Sequence, residues 1–316
     1  KYMNGIELSR GYYEEFGKPM LEKDFPDLLP YIAVGFVGSG SERYGFDDEI
    51  SKDHDYEPGF CIFIPDEDVI DRKKAFQLER AYAKLPKEYK GIKRQQVSPV
   101  GGDRNGVIRT SEFFEKAVGA KDGNLTIQQW LEIPDYALAE AVNGEIFYDG
   151  YGEFSAIRER LMEYPEDIML KRLAGNLLIM AQSGQYNFNR CLSHNEPEAA
   201  QLACNEFVNA TMKATFLLQG RYMPYYKWSF RALRQLLFTE ELYKRLSYIL
   251  MADHSDAKVA EQKYIYIEEI ASWMIEDLQD RDITKAICGD LEKHAYSVND
   301  YIADNEIRNL NILTTV

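Results

Sequence analysis

"GSGSERYGFDDEISKDHDY", residues 38–56, lies between two short apolar runs, YIAVGFVG (31–38) and GFCIFIP (59–65). Both runs favour β structure and are bounded by proline or glycine, so each reads as a buried strand, and the polar stretch becomes a turn and return joining them. Asp53 and Asp55 stand at the start of the second strand signal. In extended backbone, residues i and i+2 share a face, which would project both carboxylates together and turn His54 and Tyr56 away. Two such carboxylates repel each other unless a cation lies between them. Mg²⁺ fits, because it takes one or two protein carboxylates and completes its shell with water and substrate phosphates. Upstream, Gly40-Ser41 follows the first strand, with Gly45 five residues after Gly40. A strand running into a Gly-Ser turn offers backbone N–H groups and a hydroxyl to a phosphate oxygen without side-chain obstruction. The stretch lacks the GK[ST] of a P-loop. Eleven residues separate Ser41 from Asp53, enough for a short helix and a return to a neighbouring strand.

Outward from this stretch, residues 4–22 carry apolar side chains at helical spacing, and 66–85 read as a helix with acidic first and basic later turns, as the macrodipole prefers. Residues 86–106 are rich in lysine, proline and glycine and read as irregular. A short strand then leads into a helix over 106–119, with Ser111 as N-cap, two short helices are broken at Pro134, and 145–150 form another strand. From Ser155 onward, helix-period stretches dominate. The expected organisation is therefore an N-terminal domain of strands and helices, 1–150, and an all-α domain, 151–316.

With 316 residues and a net charge of −15, the chain has no general basic field for nucleic-acid phosphates. A nucleotide, small-molecule or protein partner is expected over a long nucleic acid. Cys61, Cys191, Cys204 and Cys288 show no paired spacing and read as reduced core thiols, and the four histidines show no zinc-type spacing, which leaves oxygen ligands for any metal. No apolar run approaches the ~18 residues of a membrane span, and no leader pattern opens the chain, so the expected location is the cytoplasm.

GSERYG (40–45), followed by the Asp53-His54-Asp55 triplet, resembles the DNA polymerase β-like nucleotidyltransferase superfamily, whose pattern is a Gly-Ser turn, about ten residues and Asp-x-Asp on the next strand. The chain is most similar to a bacterial family within it, domain of unknown function 4037, on Gly40-Ser41-Glu42, Gly45, Asp47-Asp48, Ser51, Asp53-His54-Asp55 and Pro58, with GQYNFNR (184–190) and RYMPYYKW (221–228) like that family's helical half. The resemblance implies an α+β fold: a nucleotidyltransferase mixed sheet with helices, then a C-terminal helical bundle that closes on the substrate. It implies transfer of a nucleoside monophosphate from an NTP to a hydroxyl-bearing acceptor, with Asp53 and Asp55 as catalytic residues and magnesium ligands, two Mg²⁺ ions when NTP is bound, and Gly40 and Ser41 on the triphosphate. The acceptor expected is a small molecule, with a protein hydroxyl or a tRNA end as alternatives; a nucleotide-binding regulatory protein without turnover is the rival from another class. Two departures stand out. His54 occupies a place where members often carry an apolar residue, and the third carboxylate usual on a later strand is missing from VIRT (107–110), leaving Glu112, Glu132 or the helical-half Glu206.

Arg221, Tyr222, Tyr225, Tyr226, Lys227 and Trp228 form a cationic, aromatic cluster. Aromatic packing and nucleotide binding both suit it, the second with Lys227 as a point charge for the triphosphate and Tyr226 beside it. Gln182, Gln185, Tyr186, Asn187 and Arg190 suit either acceptor recognition or hydrogen bonding between helices. Asp47, Asp48 and Glu49 read as a solvated face or a capping cluster, and Trp130 and Trp273 as core.

Overall fold

A computed structural model describes residues 2–53, 56–94 and 104–316, the side chains of Lys52 and Asp53 excepted. The chain divides into two compact units, one of residues 1–129 and 133–163 and one of 130–132 and 164–316.

The first unit opens with helix α1 (Gly5–Tyr12), capped by a reciprocal Asn4–Glu7 box, which continues through a π turn (Tyr13–Gly17) into α2 (Lys18–Asp24). Strands β1 (Ala33–Phe36) and β2 (Cys61–Ile64) follow. Helix α3 (Arg72–Ala83) starts six residues later than the acidic run suggests, because Asp71 is its N-cap, accepting from Lys74 N–H at 2.8 Å. The stretch expected to be irregular contains a hairpin, β3 (Glu88–Tyr89) and β4 (Ile92–Lys93). Its two-residue turn, Lys90-Gly91, has both φ angles positive (50° and 78°), the geometry whose twist matches paired strands. Strand β5 (Gly106–Arg109) runs into α4 (Thr110–Val118), followed by α5 (Ile127–Glu132), α6 (Asp135–Val142), β6 (Glu145–Asp149) and α7 (Glu153–Met162). Ser111 is not the cap of α4; its hydroxyl donates to Asp66 Oδ1 at 2.5 Å instead.

The sheet is mixed, in the order β5-β2-β1-β6, with β1 antiparallel to β2 and β6, and β2 parallel to β5. Its two central strands are buried along their whole length, as continuous apolar runs require when both faces are covered. Strand alternation sorts β2 cleanly: Ile62 and Ile64 enter a core with Leu8, Tyr12, Leu21 and Leu78, while Phe63 faces the other way and stacks on Phe154 of α7 at 4.1 Å. Phe113 and Phe114 of α4 complete that second layer. This aromatic layer binds α7 to the sheet, and the unit accordingly runs on to Glu163, past the expected boundary at 150.

The second unit is helical: α8 (Glu166–Met180), a π turn (Ala181–Asn187), α9 (Phe188–Ser193), α10 (Pro197–Leu218), α11 (Tyr226–Leu233), α12 (Glu240–Met251), α13 (Ala257–Asp280), α14 (Leu291–Asp300) and α15 (Asn305–Asn309). Helix α8 is buried nearly all round and keeps even Lys171 inside, its ammonium donating to Asn299 Oδ1 (2.8 Å) and to the carbonyls of Arg308 and Leu310. Gln185 resolves as an interhelical link: its amide donates to Glu268 and to the Gly289 carbonyl and accepts from Leu291 N–H at the start of α14. Trp130 is core, whereas Trp273 is 38% exposed beneath the Arg245 guanidinium. Cys61 and Cys204 are buried thiols, but Cys288 is exposed, contrary to expectation. No helix among the described residues is long and apolar enough to cross a membrane.

Candidate functional site

Register shows which segments meet at one edge of the sheet. β1 ends at Phe36; β2 begins opposite Gly35, β5 begins beside Cys61, and β6 begins opposite Phe36. The turn after β1, the chain entering β2, Arg104-Asn105 before β5 and Asn143-Gly144 before β6 therefore gather at the same edge.

The turn itself is built from backbone that only glycine adopts easily. Gly38 and Gly40 have φ of 114° and 118°, a 3₁₀ turn spans Ser41–Tyr44, and Gly45 closes it in the left-handed region. Among the described residues, the N–H groups of Ser39, Gly40 and Ser41 donate to no protein acceptor, and all three residues reach solvent. Consecutive unspent amides at a strand end are what an anion needs. Asn143 holds the turn's root like a short strand: it accepts from Gly38 N–H (2.9 Å) and donates to Gly38 O (2.7 Å). Arg158 of α7 in turn bonds the carbonyls of Val142 (2.9 Å) and Asn143 (2.8 Å) at the end of α6. Burial lowers the Arg158 guanidinium to about 10, which still leaves it charged at neutral pH. Gly144 allows the approach, since a β-carbon there would lie 1.9 Å from the Phe36 carbonyl oxygen.

Beside the turn lies a buried ion pair, Glu42 and Arg43, with exposed Arg104 and half-buried Glu140 nearby. Arg43, 2% exposed, lies over the Phe36 ring at 3.6 Å and donates to Arg104 O and Asn105 Oδ1, and its Nε stands 3.5 Å from Glu42 Oε1. Arg104 approaches the same Glu42 oxygen at 3.9 Å. Glu140 of α6 is pushed up by burial, with Arg104 pulling the other way, and burial also raises the Tyr44 phenol. Asp47 proves to be a buried tertiary cap rather than a solvated acid: its Oδ2 accepts from Gly5 N–H of α1 (2.8 Å) and from the Tyr2 hydroxyl (2.9 Å). Asp48 Oδ1 caps the next 3₁₀ turn, Ile50–Asp53, through Ile50 and Ser51 N–H.

The residues singled out by sequence are distributed unevenly. Gly40 and Ser41 sit in the turn as described. Asp53 is the last residue of the 3₁₀ turn, not the start of a strand, and β2 begins only at Cys61, so same-face projection along a strand does not describe it. His54, Asp55 and the Asp53 side chain lie outside the described residues. Glu112 is exposed in the first turn of α4. That helix follows the end of β5, so Glu112 belongs to the opposite edge, a strand length of roughly 10 Å away. Glu132 and Glu206 are exposed residues of the second unit. Tyr226 (68% exposed) and Lys227 open α11 in that unit, with Tyr226 against Tyr225 at 4.5 Å, while Tyr222 turns to pack on Tyr164. No group of three His, Cys, Asp or Glu side chains among the described residues is arranged to hold a metal. Sequence reasoning named Glu42 within the resemblance but gave it no role, and missed Arg43, Arg104, Glu140, Asn143 and Arg158, of which only Arg43 lies within the motif that drew notice.

Residues 130–229 match a family described as "Domain of unknown function (DUF4037)". The matched segment contains Glu140, Asn143 and Arg158, and also Tyr226 and Lys227, but not the turn or the Asp-x-Asp triplet. Comparison with curated proteins and with solved structures gives no match.

Proposed function

We propose that the protein is a Mg²⁺-dependent nucleotidyltransferase: the hydroxyl oxygen of a small-molecule acceptor bonds to the α-phosphorus of an NTP, and the bond to the bridging oxygen breaks to release pyrophosphate. The observation that carries this reading is the Gly38–Gly45 turn, whose Ser39, Gly40 and Ser41 amides meet no protein acceptor among the described residues, at the edge where β2 begins. Gly40 and Ser41 bind the triphosphate through backbone N–H and hydroxyl groups. Asp53 and Asp55 are the residues that would hold magnesium, an acid pair suited to an ion that keeps waters and substrate phosphates in its shell. When bound, the metal neutralises phosphate charge and lowers the pKa of the acceptor hydroxyl. Tyr226 and Lys227 enter as the second unit's nucleotide-binding candidates. An acid-free β5, GVIR, favours one other reading, a regulatory protein that binds nucleotide without turnover.

The test is pyrophosphate release from labelled NTPs with Mg²⁺ and a metabolite pool. Release that disappears in the Asp53→Asn, Asp55→Asn variant, with the circular dichroism spectrum unchanged, supports the transferase. Tight NTP binding without release in every pool would instead support the regulatory reading, and release that survives the double substitution would remove these aspartates from the mechanism.

A further inference from the structure

Away from the turn, the first unit carries a cleft of about 510 Å³ between the end of α2 and the last turns of α3. That volume lies within the range of small-ligand sites, roughly 300–1,000 Å³. Its floor is apolar: Met20, Phe25 and Ala81 are half-buried and Leu85 is buried. On its α3 side stand Arg80 and Lys84, one helical turn apart and exposed. Neither makes an ion pair among the described residues; the Arg80 guanidinium lies over the Phe76 ring at 5.8 Å. One carboxylate, Asp24, faces them from α2. The lining thus has two cations against one acid above an apolar floor, in a chain whose overall charge is −15.

We infer that this cleft binds an amphiphilic monoanion, a carboxylate carrying an apolar chain or ring, with the carboxylate between Arg80 and Lys84 and the apolar body on Met20, Phe25 and Leu85. Two cations one turn apart match one carboxylate, and Asp24 disfavours a second negative charge on the same ligand. The apolar floor supplies most of the binding free energy, and the cations orient the head group. The site is independent of the nucleotide reading, since none of its residues belongs to the turn edge.

Calorimetric titration of the full chain with decanoate below its micelle concentration tests this. Saturable one-to-one binding is expected, weakened about three- to tenfold by joint Arg80→Gln and Lys84→Gln substitution, the size that two exposed ion pairs allow. Asp24→Asn tightens it. Filling the cleft with Ala81→Trp abolishes it, and Gln77→Trp serves the same end on an exposed position should Ala81→Trp not fold. Absence of saturable binding, equal binding of uncharged decanol, or binding indifferent to both the charge and the filling variants would overturn the proposal.

Discussion

The two edges of one four-stranded sheet use polar groups in opposite ways. At the edge where β1 ends, backbone amides meet no acceptor among the described residues while side chains are locked: Asn143 grips Gly38, Arg158 grips the end of α6, and Arg43 lies over Phe36. At the other edge the acids are engaged by local donors. Asp149 accepts from Gly152 N–H (2.7 Å) and Ser155 N–H (2.9 Å) at the start of α7, and Asp66 accepts from the Ser111 hydroxyl. An acid-rich loop therefore says little about binding until its acceptors are counted against nearby donors. By that accounting the turn at the first edge has amides to offer a ligand, whereas Asp149 at the second is already spent on the amides that open α7.

The sharpest way to break this contrast is Gly40→Ala. With φ 118° and ψ 148°, Gly40 occupies a region that side-chain-bearing residues avoid, so the substitution costs on the order of 1–3 kcal/mol of local strain. The turn relaxes by rotating its amides, and NTP binding measured by titration is expected to fall by at least tenfold while the far edge keeps its hydrogen-exchange protection. Unchanged NTP binding in this variant would remove the turn from the site. Asn143→Ala comes next. It removes both bonds to Gly38, worth together about 1–3 kcal/mol, and should raise amide exchange at Gly38 and Ser39 before it lowers the melting temperature.

Glu140→Gln sharpens the comparison through pH. Burial holds the Glu140 carboxyl above its ordinary value, so the folded state binds a proton more tightly than the unfolded one. Stability is then lost as pH rises from the ordinary carboxylate range through the raised value. The glutamine variant is expected to melt higher than the parent at pH 7, by up to a few degrees, and to match it near pH 4; a lower melting temperature at pH 7 would show that Arg104 outweighs burial.

Much of this fold was legible because short apolar runs between prolines and glycines leave few choices. Residues 31–38 and 59–65 became β1 and β2, and the break at Pro134 fell between α5 and α6 as its missing N–H requires. The hairpin at 88–93 escaped notice because Lys90, rather than asparagine or aspartate, takes the left-handed position. The turn was legible from its glycines. Its supports were not: Asn143 lies 105 positions from Gly38, and nothing local distinguishes it from any other helix-ending asparagine. That Asp47 caps, rather than faces solvent, could not be settled locally for the same reason, its donors being Tyr2 and Gly5, more than 40 residues away.

The smallest effect belongs to the far edge, and it tests whether that edge is only structural. Asp149→Asn keeps one acceptor oxygen for the α7 amides and loses the other, while it removes a charge that, after burial, helps Asp66 and Asp68 push the Glu153 carboxyl upward. Loss of a capping bond and relief of repulsion oppose each other, so the net change in stability at pH 7 is expected within about 1 kcal/mol. The informative signal is its pH dependence: Glu153 in the variant titrates closer to its ordinary value, which flattens the stability curve above the carboxylate range. NTP binding stays as in the parent protein. A tenfold loss of NTP affinity on Asp149→Asn, roughly a strand length from the turn, would mean that the two edges are coupled through the sheet and that acids counted as spent on caps also act at a distance.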